Sequence, residues 1–274
     1  MKVIRHYVCP ASDVLCEFLN QNGISYQQVG TEWLCRQICF DIAECAPAFS
    51  MLAEMQLENC IITKQVQYTR LEIQNAEWLT CTPTTVKLNL ANEDISFSVS
   101  ERFGNGKAHH RILTGKPFYI SAPIVHNHNQ HFFTAYEATN QLFCTEYAKV
   151  LMQEHNYPLS FRAVRSSKTD MPIGDLYDIC IPYVLPPEAL ELSNSENTFF
   201  CPVCGAKTFL PPLQLQIYRK SLNHAANICK TASVFGWGGN YAAPINIISH
   251  DVYRFLSEYH LTRGLQFEPI TLVE

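Results

Sequence analysis

Two segments of the chain carry apolar residues at the spacing of an amphipathic helix. The first covers residues 13–21, and the second covers residues 46–57, just after an acidic turn that contains Asp41 and Glu44. In such a segment the apolar side chains fall on one face of a helix, which can then pack on a core. The pattern predicts two short helices in the N-terminal part of the chain.

Strict alternation of apolar and polar residues, the pattern of a half-buried strand, occurs over residues 86–90 and again over 95–99. The segment Ala91-Asn92-Glu93-Asp94 separates the two runs, so the sequence predicts a β-hairpin here. Apolar runs predict further strands, at residues 118–122, 130–136, 176–181, 213–218 and 245–248. Short strands and hairpins between short helices indicate the α+β class with mainly antiparallel sheets.

An internal repeat links two distant parts of the sequence. Residues 143–155 align without gaps on residues 248–260, and after a slip of one residue the segment from Phe161 aligns on the segment from Phe267. Each copy has the pattern of a strand end, a capped helix with an acidic first turn, a short turn and a strand. A fainter third copy covers residues 12–26. We expect the apolar faces of the first two copies to lie in the core: Val150, Leu151, Phe161, Phe255, Leu256 and Phe267.

The composition is that of a globular protein. With 274 residues, 47% of them hydrophobic and 16% charged, the chain can bury a core and does not resemble a disordered sequence. The length allows one large domain or two ordinary ones. The patterns divide the chain into an N-terminal α+β region with the hairpin (1–120) and a C-terminal region with the repeat (121–274), which could also form one compact domain.

Charge and hydropathy argue against two classes of partner. The net charge of -5 and the lack of a Lys/Arg run are atypical of proteins that bind nucleic acid. No apolar run approaches the roughly 18 residues that span a membrane, and the start MKVIRHYVCP does not resemble a signal peptide. We therefore expect a cytoplasmic protein with no membrane partner. Since the cytoplasm keeps thiols reduced, the 12 cysteines are expected to be mostly core residues, with a metal site among them, and not a disulfide framework.

The most specific motif in the chain is Cys201-Pro202-Val203-Cys204-Gly205. Two thiolates separated by two residues can bind one Zn²⁺ from a tight turn, and the glycine lets the backbone turn under the metal. A structural zinc site needs four ligands, so this knuckle needs a second pair. The candidates are Cys35 with Cys39, which are separated by three residues, or Cys180, His224 and Cys229. The alternative is a knuckle without metal, in which two thiols simply pack.

Other segments are less specific. The histidines of residues 126–131 are interrupted by Asn and Gln, a pattern that favours a solvated loop over a ligand cluster. The glycine-rich segment 235–240 lacks the following Lys-Ser/Thr of a phosphate-binding loop, and its Trp237 is a possible contact for a protein partner. The sequence contains no GxSxG, HExxH or Walker motif.

The knuckle and the end of the chain together resemble a known family. Downstream of CPVCG come a region of about 40 residues, a strand at 245–248, the helical segment from Ser249 to Leu256 and the strand Gly264-Leu265-Gln266-Phe267-Glu268-Pro269-Ile270. This order is similar to the C-terminal part of the double-CXXCG motif family of bacterial immunity proteins. The similarity covers residues 195–274. In the N-terminal part, where the family has its first CXXCG, this chain has Cys35-Arg36-Gln37-Ile38-Cys39, with one extra residue and no glycine.

The resemblance implies a binding protein and not an enzyme. It predicts an immunity protein that neutralises a cognate, cytoplasm-acting bacterial toxin in a direct complex, with structural zinc bound by Cys201, Cys204, Cys35 and Cys39. Two alternatives stay open. One is a zinc-knuckle scaffold protein unrelated to toxins. The other is a cytosolic enzyme in which a low-pKa cysteine is the nucleophile and a histidine from residues 126–131 is its base.

Overall fold

A computed structural model describes residues 1–29, 36–91, 97–99, 111–113, 115–121, 129–136, 138–192, 198–200, 207–236 and 242–274. Within these ranges the protein has the α+β class predicted from the sequence, with mostly antiparallel sheets and six short α-helices. No helix in the described part is long and apolar enough to cross a bilayer. The chain forms two compact units, unit 1 (Met1–Glu72) and unit 2 (Ile73–Glu274).

The helices are α1 (Asp13–Gln21), α2 (Pro47–Glu54), α3 (Arg70–Asn75), α4 (Glu146–Glu154), α5 (Arg219–Leu222) and α6 (His250–Glu258), with a 3₁₀ turn at Pro187–Ala189. The first strands are β1 (Lys2–Pro10), β2 (Tyr26–Val29), β3 (Gln37–Ala43), β4 (Ile61–Gln67), β5 (Trp78–Pro83), β6 (Val86–Leu88), β7 (Leu90–Ala91), β8 (Phe97–Val99), β9 (Arg111–Leu113), β10 (Tyr119–Ile120) and β11 (Phe132–Ala135). The remaining strands are β12 (Ala138–Thr145), β13 (Ser160–Ser166), β14 (Pro172–Cys180), β15 (Val184–Leu185), β16 (Thr198–Phe200), β17 (Lys207–Phe209), β18 (Gln216–Tyr218), β19 (Ile228–Phe235), β20 (Ala243–Ser249), β21 (Leu265–Pro269) and β22 (Thr271–Val273). Both predicted N-terminal helices are confirmed.

Unit 1 has the element order β-α-β-β-α-β. Its four strands form one antiparallel sheet in the order β2-β3-β1-β4. Strands β1 and β2 are therefore parallel to each other with β3 between them, and β3 and β4 are parallel with β1 between them. This is the split β-α-β arrangement, in which both helices pack on the same face of the sheet.

The core of unit 1 lies between the sheet and its two helices. Alternate residues of a strand point to opposite faces, so every second residue of β1 and β3 contributes to this core. The buried residues are Tyr7, Cys9, Ile38, Phe40 and Ile42 from the sheet and Leu15, Leu19, Ala48 and Leu52 from the helices. The rings of Tyr7 and Phe40 stack with their centroids 5.0 Å apart.

Unit 2 contains two seven-stranded sheets. The first has the order β6-β11-β12-β14-β13-β10-β7, and the second has the order β16-β17-β19-β20-β5-β21 with β15 beside β19. The largest core cluster of unit 2 joins both sheets to α4 and α6. It includes Cys144, Ile179, Leu79, Ile248, Met152, Phe255 and Phe267.

The hairpin predicted for residues 86–99 is wrong. Strand β6 pairs with β11, β7 pairs with β10, and β8 pairs with β9. Leu88 and Leu90 are both buried in one cluster, although they lie on the two opposite edges of the first sheet. Only Asn89 separates the two edge strands, so the sheet curls around this cluster. The burial of both leucines is thus achieved without the predicted pairing between the two halves of the hairpin. Residues 92–96, which include most of the predicted turn, lie outside the described ranges.

The predicted repeat is present as three split β-α-β units. Helices α1, α4 and α6 each have nine residues and follow directly on a strand or its end. Their N-cap side chains, Ser12, Thr145 and Ser249, accept hydrogen bonds from the backbone amide three residues later. In each unit the strands before and after the helix flank a third, antiparallel strand: β3, β14 and β5.

The three helices also end in the same way. The residue after each C-cap has a positive φ, at Gly23 (65°), Asn156 (55°) and His260 (57°). The next residue donates its N–H to the carbonyl five residues earlier, for example Ile24 to Leu19 at 2.9 Å and Leu261 to Leu256 at 2.7 Å. This is the Schellman motif, which satisfies the last carbonyls of a helix.

The caps correct the alignment of the repeat by one residue. Thr145 is equivalent to Ser249, so Leu151 and not Val150 corresponds to Phe255. Val150 is 39% exposed, which contradicts its predicted place in the core. Phe255, Leu256 and Phe267 are buried as predicted, and Leu151 and Phe161 pack against the same cluster.

The boundary between the units differs from the predicted one. The sequence patterns placed it after residue 120, whereas the compact units divide between Glu72 and Ile73. Strand β5 pairs with β20 and β21, and β7 and β10 belong to the same sheet as β13. These long-range pairs tie residues 73–120 to the C-terminal part of the chain.

Candidate functional site

The sheet of unit 1 presents a second face, opposite to its helices, which we call the open face. It consists of Ile4, His6 and Val8 of β1, Cys39, Asp41 and Ala43 of β3, and Ile61, Thr63 and Gln65 of β4. The assignment follows from strand alternation, because the neighbouring residues Tyr7, Phe40 and Val66 are buried. Register places these residues in three rows across the sheet, with His6 directly opposite both Asp41 and Thr63.

A hydrogen-bonded pair lies at the centre of the open face. His6 Nδ1 is 2.6 Å from Asp41 Oδ1, and both side chains are accessible to solvent. The carboxylate fixes the orientation of the imidazole and leaves its Nε2 for another contact. Val8 and Cys39 form the next row on one side, and Ile61 continues that row at the edge strand. The face therefore combines a polar centre with apolar neighbours.

Of the four predicted zinc ligands, the structure describes one. Cys39 lies on the open face in β3 and has a free thiol, whereas Cys35, Cys201 and Cys204 lie outside the described residues. In the ranges that the structure describes, no three His, Cys, Asp or Glu residues come close enough to hold a metal. The alternative ligands are separate: Cys180 and Cys229 belong to the two different sheets of unit 2.

The strands that flank the knuckle are compatible with its predicted turn. Strands β16 and β17 pair antiparallel, with Phe200 directly opposite Lys207. Residues 201–206 therefore connect two ends that lie side by side, as a CxxCG turn requires. The zinc site stays a prediction, because Cys201 and Cys204 fall in this connection and Cys35 also lies outside the described residues.

We expect purified protein that was never exposed to a chelator to contain about one zinc ion per chain. Cys204→Ser is expected to lower both the zinc content and the unfolding temperature, because metal binding at a structural site contributes to the free energy of folding. Cys45→Ser is the matched control, since Cys45 is an exposed free cysteine, and it should change neither quantity. Metal analysis that finds well under about half an equivalent in the wild-type protein would refute the site.

One pair of cysteines departs from the expectation of core residues and metal ligands. Cys9 and Cys60 form a disulfide, with their Cα atoms 4.4 Å apart. The register of β1 and β4 explains the pairing: Val8 lies opposite Ile61, so the next pair along is Cys9 and Cys60. The sequence separation of 51 residues hides this proximity. The bond ties the start of β4 to the centre of the sheet.

A buried polar cluster in unit 2 is the second candidate. Asp178 of β14 is fully buried and accepts hydrogen bonds from Arg162 Nε at 2.9 Å and from Gln141. The Cys180 thiol lies 3.5 Å from the same carboxylate. Burial raises the pKa of Asp178, and the adjacent guanidinium of Arg162 opposes that shift. These groups satisfy one another, so the cluster resembles a structural ion pair inside the sheet more than a reactive site.

Four thiols of unit 2, three buried and one half-buried, are poor nucleophiles. Burial raises the pKa of Cys81 and of Cys229 to about 12. It also raises the pKa of Cys144 and of Cys180, with a further contribution from the charge of Asp178. Since the thiolate is the reactive form, none of these four suits the cysteine chemistry of the enzyme alternative.

Of the histidine segment 126–131, the structure describes His131. Its Nδ1 lies 3.0 Å from Thr145 Oγ1, and its ring lies against Tyr147, with the centroids 4.8 Å apart. Thr145 is the N-cap of α4, so His131 supports the start of this helix. His126, His128 and Trp237 lie outside the described residues.

The open face was not predicted from the sequence. The only signal was the alternation in β1, where Tyr7 and Cys9 pack inward while His6 and Val8 point outward, and the neighbouring strand β3 is needed to recognise it. The fold and site thus define a two-unit α+β protein with split β-α-β units and an open sheet face. No family model matches the chain, and no curated protein or solved structure shows significant similarity to it.

Proposed function

We propose that this chain is an immunity protein that binds a cytoplasm-acting bacterial toxin directly and thereby neutralises it. The observation that carries the proposal is the open face of unit 1. It exposes Ile61 beside Val8 and surrounds the His6–Asp41 pair with apolar neighbours. Apolar contacts around a few oriented polar groups are what the centre of a protein–protein interface needs.

The size of the open face is compatible with this role. The three strands that form it, spaced about 4.8 Å apart and about seven residues long, cover roughly 14 Å by 23 Å, or about 330 Å². A standard interface buries about 800 Å² on each partner. The open face thus supplies about 40% of that area, and the remainder has to come from the adjoining edge strands and loops.

The disulfide bears on the proposed compartment. Cytoplasmic thiols are usually reduced, and persistent disulfides there are uncommon. In this chain Cys9 is fully buried in the core of unit 1, so thiols such as glutathione can reach the bond only from the Cys60 side. Partial shielding of this kind slows reduction, because exchange requires direct attack on a sulfur atom.

The test uses the gene next to the one for this chain. Coexpression is expected to rescue growth against the neighbouring toxin, and Ile61→Arg is expected to weaken the complex about 100-fold, because an unpaired charge is then placed in the apolar part of the interface. Ile61 is 64% exposed, so this substitution spares the fold. Affinity is measured by titration calorimetry and rescue by plating.

Val14→Arg is the matched control, since Val14 is a 68% exposed apolar residue of unit 1 on the helical side. It should leave both affinity and rescue unchanged. A neighbouring gene product that is harmless in the cytoplasm, or rescue without any detectable complex, contradicts the immunity function. An equal loss of affinity in Ile61→Arg and Val14→Arg contradicts the assignment of the open face as the binding surface.

A further inference from the structure

Strand β4 forms one edge of the sheet of unit 1. Six of its seven residues are exposed, and only Val66 is buried. Among the residues that the structure describes, no strand pairs with the outer side of β4. An exposed edge of this length offers a row of backbone donors and acceptors to another extended chain.

The register identifies which backbone groups face outward. The Cα atoms of Cys9 and Cys60 are 4.4 Å apart, which is the distance of a non-hydrogen-bonded antiparallel pair. Because bonded and non-bonded pairs alternate, the hydrogen bonds between β1 and β4 join Val8 with Ile61 and then every second pair along the strands. A second observation agrees: the carbonyl of Val3 accepts from Glu44 on the β3 side, so Val3 does not bond to its β4 partner Val66. The outward groups therefore belong to Ile62, Lys64 and Val66.

The charge at this edge is positive. Lys64 Nζ lies 4.0 Å from Glu44 Oε1, and Arg5 binds the same carboxylate through its Nε. Arg5 and Lys64 thus share the single carboxylate of Glu44. This leaves one net positive charge at the middle of the three residues with outward backbone groups. An acidic side chain on an added strand, directly opposite Lys64, would complete the cluster.

The same charge disfavours a second copy of this chain. If two β4 strands paired antiparallel with all three outward residues engaged, Ile62 would lie opposite Val66 and Lys64 opposite Lys64. Like charges directly opposite each other destabilise a strand pair, and a lysine on an edge strand is a common protection against self-pairing.

We propose that β4 binds an extended segment of the partner protein as an added strand, with an Asp or Glu of that segment opposite Lys64. The inference rests on the proposed function, because the partner is the neutralised toxin. Backbone hydrogen bonds to Ile62, Lys64 and Val66 supply the pairing, and Lys64 supplies the preference for an acidic segment. The Cys9–Cys60 disulfide holds the start of β4 in place before the partner arrives.

Lys64→Pro tests the added strand in the full-length protein, with the neighbouring gene product as the probe. Proline removes the outward N–H of residue 64 but no hydrogen bond to β1, so an edge strand tolerates it at this position. We expect the Kd to rise about 100-fold. Lys64→Gln keeps the N–H and removes only the charge, and we expect a rise of about 5-fold.

Hydrogen exchange on the wild-type complex provides a second measurement that does not depend on the folding of a variant. The amides of Ile62, Lys64 and Val66 are expected to become protected when the partner binds. A complex that forms normally with Lys64→Pro, or that leaves these three amides exchanging freely, overturns the added strand and leaves the immunity function standing. A dimer of the wild-type chain alone that Lys64→Pro abolishes also overturns the proposal, in favour of a second copy. If the wild-type chain does not bind the neighbouring gene product at all, the proposed immunity function itself is contradicted, and the added strand with it.

Discussion

Phe255→Ala is expected to destabilise unit 2 by about 3 to 5 kcal/mol, the usual range for loss of a core phenylalanine. Phe255 lies on α6 in the cluster that joins both sheets, and it is 5% exposed. Its ring contacts three others, His155, Tyr157 and Tyr259, with centroids 4.5 to 5.1 Å away. Truncation leaves a cavity where the ends of the repeated helices meet. The measurement is the free energy of unfolding from a urea titration.

Val150→Ala is the control for this prediction. Val150 occupies the position that the sequence alignment had matched to Phe255, yet it is exposed on α4. We expect a loss below about 1 kcal/mol, because little apolar area is removed from the core. Similar losses for the two variants would mean that the correction of the repeat by one residue is wrong.

Arg162→Met is expected to destabilise unit 2 by about 3 kcal/mol at neutral pH. The substitution keeps most of the aliphatic side chain but removes both nitrogen atoms that bind Asp178. The buried carboxylate then keeps only Gln141 and the Cys180 thiol as partners. We place the loss at the low end of the range for broken buried ion pairs because these two contacts persist.

The pH dependence of this loss has a definite sign. Burial already raises the pKa of Asp178 above its ordinary value, and removal of Arg162 raises it further. A carboxyl whose folded-state pKa is raised favours folding most below its unfolded pKa of about 4, and this contribution is lost as the pH rises through the folded-state pKa. The difference in the free energy of unfolding between wild type and Arg162→Met should therefore shrink as the pH falls towards about 4.

Two further variants separate the buried charge from other effects. Addition of Asp178→Asn to Arg162→Met removes the uncompensated charge and should recover part of the lost stability at neutral pH. Arg165→Met breaks the exposed pair between Arg165 and Asp170 and should hardly change the unfolding midpoint. A loss for Arg162→Met that is independent of pH would show that packing, and not the charge of Asp178, is responsible.

Local signals predicted the helical parts of the fold well. The apolar spacing of α1, α4 and α6 is contained within each helix, so the sequence was sufficient to find all three repeated helices. It did not show that Thr145 and Ser249 are equivalent caps, and the alignment was therefore off by one residue. The hairpin at 86–99 failed because strand pairing depends on residues that are distant in sequence. Leu88 and Leu90 find their partners in β11 and β10, and the alternation pattern contains no information on that choice.

The candidate site was less accessible to sequence reasoning for the same reason. The His6–Asp41 pair and the Cys9–Cys60 disulfide join residues 35 and 51 positions apart. Neither pair has a recognisable motif, because the register of β1 with β3 and β4 creates both. The knuckle at 201–205 was found because its two thiols and its glycine are close in sequence.

The immunity function requires that the chain and the product of its neighbouring gene form a complex. The two purified proteins are mixed at about 10 μM each and analysed by size-exclusion chromatography with light scattering. An immunity protein with a submicromolar Kd is predicted to give a single species whose mass is 31.2 kDa plus that of the partner. Two separate peaks, each with the mass of one protein, would contradict the immunity function.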